Sequence, residues 1–234
     1  ELGKENIAAF IAEPIQGSGG VVVPPPDYLR RIWEVARENG ILFIADEVVT
    51  AFGRVGHWFA SQDVFGIEPD IIVSAKGLTS GYLPLGATIY SDAVHEAISQ
   101  PGPDVWFAHG FTYSGHPVAC AAAVATLKLY QQEQLFQRAD QMSRVLGDAM
   151  HAAMKGLPHV IGIRSLGLAA VVELAPRPGA PGKRAFDIFM DCFHKGSLVR
   201  PAGDNLVLAP PYIVEKSQIE QLVGTLAEAI HRSN

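Results

Sequence analysis

Cysteine is scarce in this chain: Cys120 and Cys192 are the only two, both in apolar, helix-like surroundings. The two have no metal-ligand spacing, so the pair reads as buried free thiols of a cytosolic protein. The eight histidines form no metal constellation either; His109 and His116 read as a loop residue and a helix-start residue. Positive charge is in deficit, with 18 Lys and Arg against 24 Asp and Glu, a net charge of −6 and a pI near 5.7. That balance argues against a nucleic-acid surface. No block of like charges forms a tail, no apolar run reaches membrane length, and no basic-then-apolar leader is present. Internal repeats and low-complexity segments are absent as well. The sequence opens at Glu1 without an initiator Met, on a short polar lead into a strand, which suggests a piece of something longer.

What is present is an ordinary globular composition, 48% hydrophobic and 18% charged, in 234 residues. This is enough for one large domain or two modest ones. Ile7 to Ala12 is a continuous apolar run suited to a buried strand, closed by Glu13-Pro14. The Gly-rich loop at residues 15–20 lacks a nucleotide-binding pattern and does not open a helix directly, so it reads as a structural turn. Asp27 is positioned to cap a helix with the apolar face Leu29, Ile32, Trp33 and Ala36, ended by Asn39-Gly40. Ile41 to Ala45 is the next strand, and strand, helix and strand in that order predict parallel pairing. Strands follow near 70–75 and 86–90, with a short helix at 92–98. The loop at 99–115 is long for a compact domain, which favours a functional role. Helices are expected from His116-Pro117 to about 132 and from about 134 to 155, the second bridging to another domain. Beyond Gly156-Leu157-Pro158 the texture becomes α+β. Strands are expected near 160–164, 169–174, 198–200 and 206–208, and helices near 185–195 and 215–231.

Ligand crevices of open α/β sheets lie at the carboxyl ends of parallel strands. Glu13, Asp46 and Lys76 each terminate a strand, so the reading places them on one rim. A lysine at the mouth of a buried strand is unusual, because desolvation disfavours its charged form; a neutral amine there is a nucleophile able to form a Schiff base with an aldehyde. The competing reading is a lysine that ends the strand and points into water. An acid at one strand end and a lysine at a later one suit pyridoxal phosphate: the lysine holds the cofactor covalently, and the carboxylate keeps its pyridine nitrogen protonated.

Four motifs carry a resemblance. Glu13-Pro14-Ile15-Gln16-Gly17, the run from Asp46 through Arg54, Ser74-Ala75-Lys76-Gly77, and Gly110-Phe111-Thr112-Tyr113-Ser114-Gly115-His116-Pro117 resemble, in order, the successive motifs of class III (omega) aminotransferases. The resemblance implies the α/β fold of fold type I pyridoxal-phosphate transferases, with a mainly parallel sheet in the large domain and an α+β small domain. Residues 1–156 would be the latter part of the cofactor-binding large domain, and residues 157–234 the C-terminal small domain. It further implies Lys76 as the Schiff-base lysine and acid–base group, Asp46 as partner of the pyridine nitrogen, and Val48 as a contact on the ring face. Thr112 would bind the phosphate of the cofactor held by the other subunit, which calls for a homodimer with shared active sites. Arg200 matches the mobile arginine that binds a substrate carboxylate and swings aside for amines.

Two departures refine the resemblance. Ser18 stands where the ornithine and 4-aminobutyrate branches usually have a second Glu, and Val49 where they often have Gln. Both point to the amine-pyruvate and β-alanine-pyruvate branch. The small-residue phosphate cradle and the ring-stacking aromatic of the family's N-terminal half are not found. The expected reaction is transfer of an amino group from an ω-amino acid or primary amine to pyruvate. The alternatives are another class III activity, decarboxylase or aminomutase, or an inactive fragment; no metal, nucleic acid or membrane partner is expected.

Overall fold

The apolar runs at 9–12, 42–46 and 71–74 are too short for helices, and their mutual pairing satisfies their backbone groups. A computed structural model describes residues 3–100 and 107–233 of the chain. In it β1 (Ala9–Ala12), β2 (Leu42–Asp46), β3 (Ile71–Ser74) and β4 (Ala87–Tyr90) form one sheet in the order β1-β2-β3-β4. The pairings β1/β2 and β2/β3 are parallel, as expected, while β4 runs antiparallel to β3.

Contacts divide the chain into two compact units. The first comprises residues 1–14, 24–52 and 57–133; the second takes in 134–234 together with the short segments 15–23 and 53–56. The change of packing thus comes at 133/134, ahead of the Gly156-Leu157-Pro158 turn.

In the first unit, helix α1 (Tyr28–Glu38) crosses over between β1 and β2 and covers one face of the sheet. Leu29, Ala36, Phe43 and Ile67 form its buried centre, flanked by Phe10, Ile32 and Trp33. The helical apolar spacing is as read, but the cap is not. Asp27 has a positive φ of 62° and makes no side-chain cap bond; its carboxylate instead pairs with Arg30 at 2.7 Å. A left-handed N-cap carries the side chain away from the N2 and N3 amides, and the neighbouring guanidinium takes it up. A short helix α2 (Ala60–Asp63) lies between β2 and β3, and α3 (Asp92–Ser99) follows β4. Helix α4 (Pro117–Gln132) starts with proline in its first turn, where a missing N–H costs nothing. Residues 101–106 of the long loop lie outside the described residues.

The second unit packs α5 (Leu135–Met154), α6 (Lys183–His194) and α7 (Lys216–Arg232) with an antiparallel sheet of order β5-β6-β8-β7. Its strands are β5 (Val160–Ser165), β6 (Ala170–Leu174), β7 (Arg200–Ala202) and β8 (Asn205–Leu208). Leu146, Met150, Met154, Leu174, Leu206 and Leu226 are fully or almost fully buried in its core. Burial of each such side chain contributes on the order of 2 kcal/mol. Glu215 and Gln218 close a capping box at the start of α7. Two boundaries moved relative to the sequence reading: α6 begins two residues earlier, and the strand expected at 198–200 is β7 at 200–202. Arg200, Pro201 and Ala202 pair with Val207, Leu206 and Asn205, so the pairing to β8 sets the register.

Candidate active site

The parallel register aligns the carboxyl ends of the first three strands. Ala12 pairs with Ala45, and Asp46 pairs with Val73. Glu13 is therefore level with Asp46, and Lys76 begins a single turn of 3-10 helix (Lys76–Leu78) just past β3. Adjacent strands lie about 4.8 Å apart, so the rim expected from the sequence is formed within the first unit.

Asp46 is half-buried. Its Oδ1 accepts the Val48 amide at 3.1 Å, fixing both residues in one tight turn. Among the described residues no hydrogen bond occupies its Oδ2. That oxygen can accept from a protonated ring nitrogen. Val48 is half-buried.

Behind this turn sits a group the sequence reading missed. Glu47 is fully buried, and its carboxylate accepts the backbone amides of Ala60 at 3.0 Å and Ser61 at 2.6 Å and the Thr50 hydroxyl. A carboxylate on two amides at the start of α2 holds the loop that leaves Asp46. Alternation along the strand was the available signal: a residue next to the rim-facing Asp46 points the other way, into the protein.

Lys76 corrects one premise. The reading had it at a buried strand mouth, where desolvation would favour a neutral amine; in this chain it is exposed. The strand ends at Ser74, and Ala75 carries the lysine out of the sheet. Lys76 lines a cleft of about 700 Å³ together with Thr79, Leu83 and Pro84. Its backbone is the unusual feature, with a φ of 34°, a conformation that non-glycine residues rarely adopt. The amine has no ion-pair partner among the described residues. An unpaired amine and an open carboxylate oxygen on neighbouring strand ends fit a pyridine aldehyde.

The remaining residues lie elsewhere. Thr112 is exposed on the turn at residues 111–114, where the Phe111 amide donates to the Ser114 hydroxyl. Arg200 is exposed on the edge strand β7 of the second unit. Arg54, quoted in the sequence only as part of a motif, has a defined task in the second unit. Its guanidinium donates to the carbonyls of Leu168 at 2.7 Å and Pro210 at 2.9 Å and lies 5.0 Å above the Tyr212 ring. Gly53 beside it has a φ of 100°, and a Cβ there would stand 2.4 Å from the Phe136 ring; only glycine fits.

The family described as aminotransferase class-III matches residues 1–230 of the chain. The chain belongs to the class III aminotransferases. It is 46% identical over 227 residues to an omega-aminotransferase of Caulobacter vibrioides, a match covering 96% of this chain and 51% of that protein. It is 40% identical over 230 residues to the omega-amino acid–pyruvate aminotransferase of Pseudomonas putida, covering 97% and 51%. Among solved structures, an amine transaminase from an uncultivated Pseudomonas species in its PLP-bound form superposes with a TM-score of 0.93 at 39% identity, covering 100% of this chain and 54% of that one. The chain thus spans about half the length of the curated relatives it matches. Class III aminotransferases depend on pyridoxal phosphate, and the α/β sheet with its mostly parallel pairing is that of the fold type I transferases. Among the described residues no cluster of metal-ligating side chains occurs, and no helix is long and apolar enough to cross a membrane.

Proposed function

We propose that this chain carries the lysine-bearing portion of an omega-aminotransferase, which moves an amino group from an ω-amino acid of the β-alanine type, or from a primary amine, to pyruvate. The observation that carries the reading is the pairing of Asp46 with Val73 and the emergence of Lys76 from that same strand. It sets an acid and an amine on adjacent strand ends, at one edge of a parallel sheet.

Bound pyridoxal phosphate supplies an electron sink for the charge left when the carbon bearing the amino group loses its proton. Lys76 would hold the cofactor through its Nζ and, with that amine released when the donor's amine takes its place, would carry the proton from one side of the nitrogen to the other. Asp46 keeps the ring nitrogen protonated. Val48, fixed by the turn it shares with Asp46, packs on the ring face and holds its tilt. Arg200 receives a substrate carboxylate through its planar fork and moves away when the donor is a simple amine.

Thr112 binds the phosphate of the cofactor in a second copy. Supporting this, Phe111 and Tyr113 on either side of it are 77% and 80% exposed, an apolar surface that association would cover. Ser18 and Val49, where related branches carry Glu and Gln, support pyruvate as the acceptor. Cys120 and Cys192 are both unpaired, in keeping with a reducing cytoplasm.

The test is alanine formation from pyruvate by the full-length protein with a panel of donors: β-alanine, 4-aminobutyrate, a diamine and a benzylic amine. Pyruvate-dependent alanine with β-alanine or an amine supports the reading. Release of CO2, or isomerised donor without alanine, replaces it with a decarboxylase or aminomutase.

A further inference from the structure

Tyr130 lies in the last turn of α4, and its side chain is almost fully buried. Its phenol donates to the carbonyl of Gly77 at 2.7 Å. Gly77 directly follows Lys76, whose positive φ needs outside support to persist. The rest of the turn is tied as well. The Gly77 carbonyl also accepts the Ser80 amide at 3.2 Å, the Lys76 carbonyl accepts the amides of Thr79 and Gly81 at 3.3 Å each, and the buried Thr79 hydroxyl donates to Leu83. Every one of these bonds lies inside the turn; the Tyr130 phenol reaches it from a helix 53 residues away in sequence. On its other side the turn has no slack, since a Cβ on Gly77 would stand 3.0 Å from Cβ of Phe52.

We infer that Tyr130 is a positioning residue for Lys76, its hydroxyl holding the Gly77 carbonyl so that the left-handed turn presents the lysine amine to the cleft. This rests on the reading of Lys76 as the cofactor-bearing lysine. The Gly77 carbonyl lies one peptide beyond Lys76, so releasing it from the phenol loosens the turn whose bonds hold Lys76 at its positive φ. The same helix starts directly after the Thr112 turn, so one rigid rod carries both the Thr112 segment and the clamp on Lys76.

The experiment compares wild-type, Tyr130→Phe and Thr126→Val in the full-length protein. Thr126, on the same helix one turn earlier, bonds only its own helix, through the Ala122 carbonyl; its variant removes a buried hydroxyl from α4 without removing any hydrogen bond of the turn. The primary readout is the rate at which the visible absorbance band of lysine-bound pyridoxal phosphate grows when cofactor is added to the apoprotein. For Tyr130→Phe the expectation is attachment and kcat slowed roughly tenfold, with KM for the amine donor little changed. Amide exchange in residues 77–82 should be faster. Thr126→Val should match wild type in all of these. Wild-type behaviour of Tyr130→Phe, or an equal slowing in Thr126→Val, overturns the inference and leaves the proposed function standing. A wild-type protein whose band does not depend on Lys76 overturns both.

Discussion

Glu47 Oε1 accepts the backbone amide of Ser61 at 2.6 Å in a fully buried setting, one residue after the aspartate proposed to face the cofactor. The acid proposed to serve the cofactor and the acid that holds the loop are thus neighbours in sequence on opposite sides of a strand end. In Glu47→Gln an amide NH₂ replaces one oxygen and in either orientation faces a backbone N–H, of Ala60 or of Ser61, that cannot accept from it. The expected cost is roughly 2–3 kcal/mol of stability, read as a drop of several degrees in the thermal midpoint. Cofactor affinity should fall with it, because the Asp46–Val48 turn is held by the same loop. Unchanged stability would show that the loop stands without this carboxylate.

Arg54 makes a comparable prediction for the second unit. Arg54→Met leaves the carbonyls of Leu168 and Pro210 without their donor, at a cost of roughly 2–4 kcal/mol. Arg54→Lys should recover only part of it, since an ammonium cannot match the planar fork or lie flat on Tyr212. Chemical denaturation of the three proteins checks the order wild type, Lys, Met.

The shared active site is tested by mixing. If Thr112 serves the cofactor of the other copy, Lys76→Ala and Thr112→Ala protomers complement each other at limiting cofactor. The mixed dimer then holds one site with Lys76 from one chain and Thr112 from the other. Random association should return roughly a quarter of wild-type activity. If Thr112 acts within its own chain, no mixture rescues activity.

Cys192 supplies a pH prediction. Burial, with a smaller contribution from Asp191 and against an opposing one from Arg232, pushes its thiol up to about 11. The fold therefore favours the neutral thiol. Its contribution to stability is complete below about pH 9 and is lost as pH rises towards 11. At pH 8 only about one molecule in a thousand carries the thiolate. A disulfide reagent should label Cys120, which is half-buried, and reach Cys192 only on unfolding.

The strands and helices were readable because their apolar periods agree with the structure, and the Asp46–Lys76 rim followed from parallel topology alone. Other features depended on contacts distant in sequence. That Lys76 stands clear of the sheet depends on where pairing stops, at Ser74, which no residue nearby announces. Asp27 looked like a cap by type, and its backbone conformation decided otherwise. Tyr130 and Arg54 act through carbonyls 53 and more than 100 residues away, and a carbonyl leaves no mark in a sequence. Segments 15–23 and 53–56 pack with the part of the chain that begins at residue 134, a choice invisible to local reading.

The most direct test of the central claim is to add pyridoxal phosphate to the full-length protein, reduce it with borohydride, digest it and map the cofactor's mass to a peptide. The expected result is modification on the single peptide carrying Lys76, lost in Lys76→Ala and prevented by prior addition of a reactive amine donor. Labelling spread over surface lysines, or centred on another lysine with Lys76 unmodified, would contradict the account.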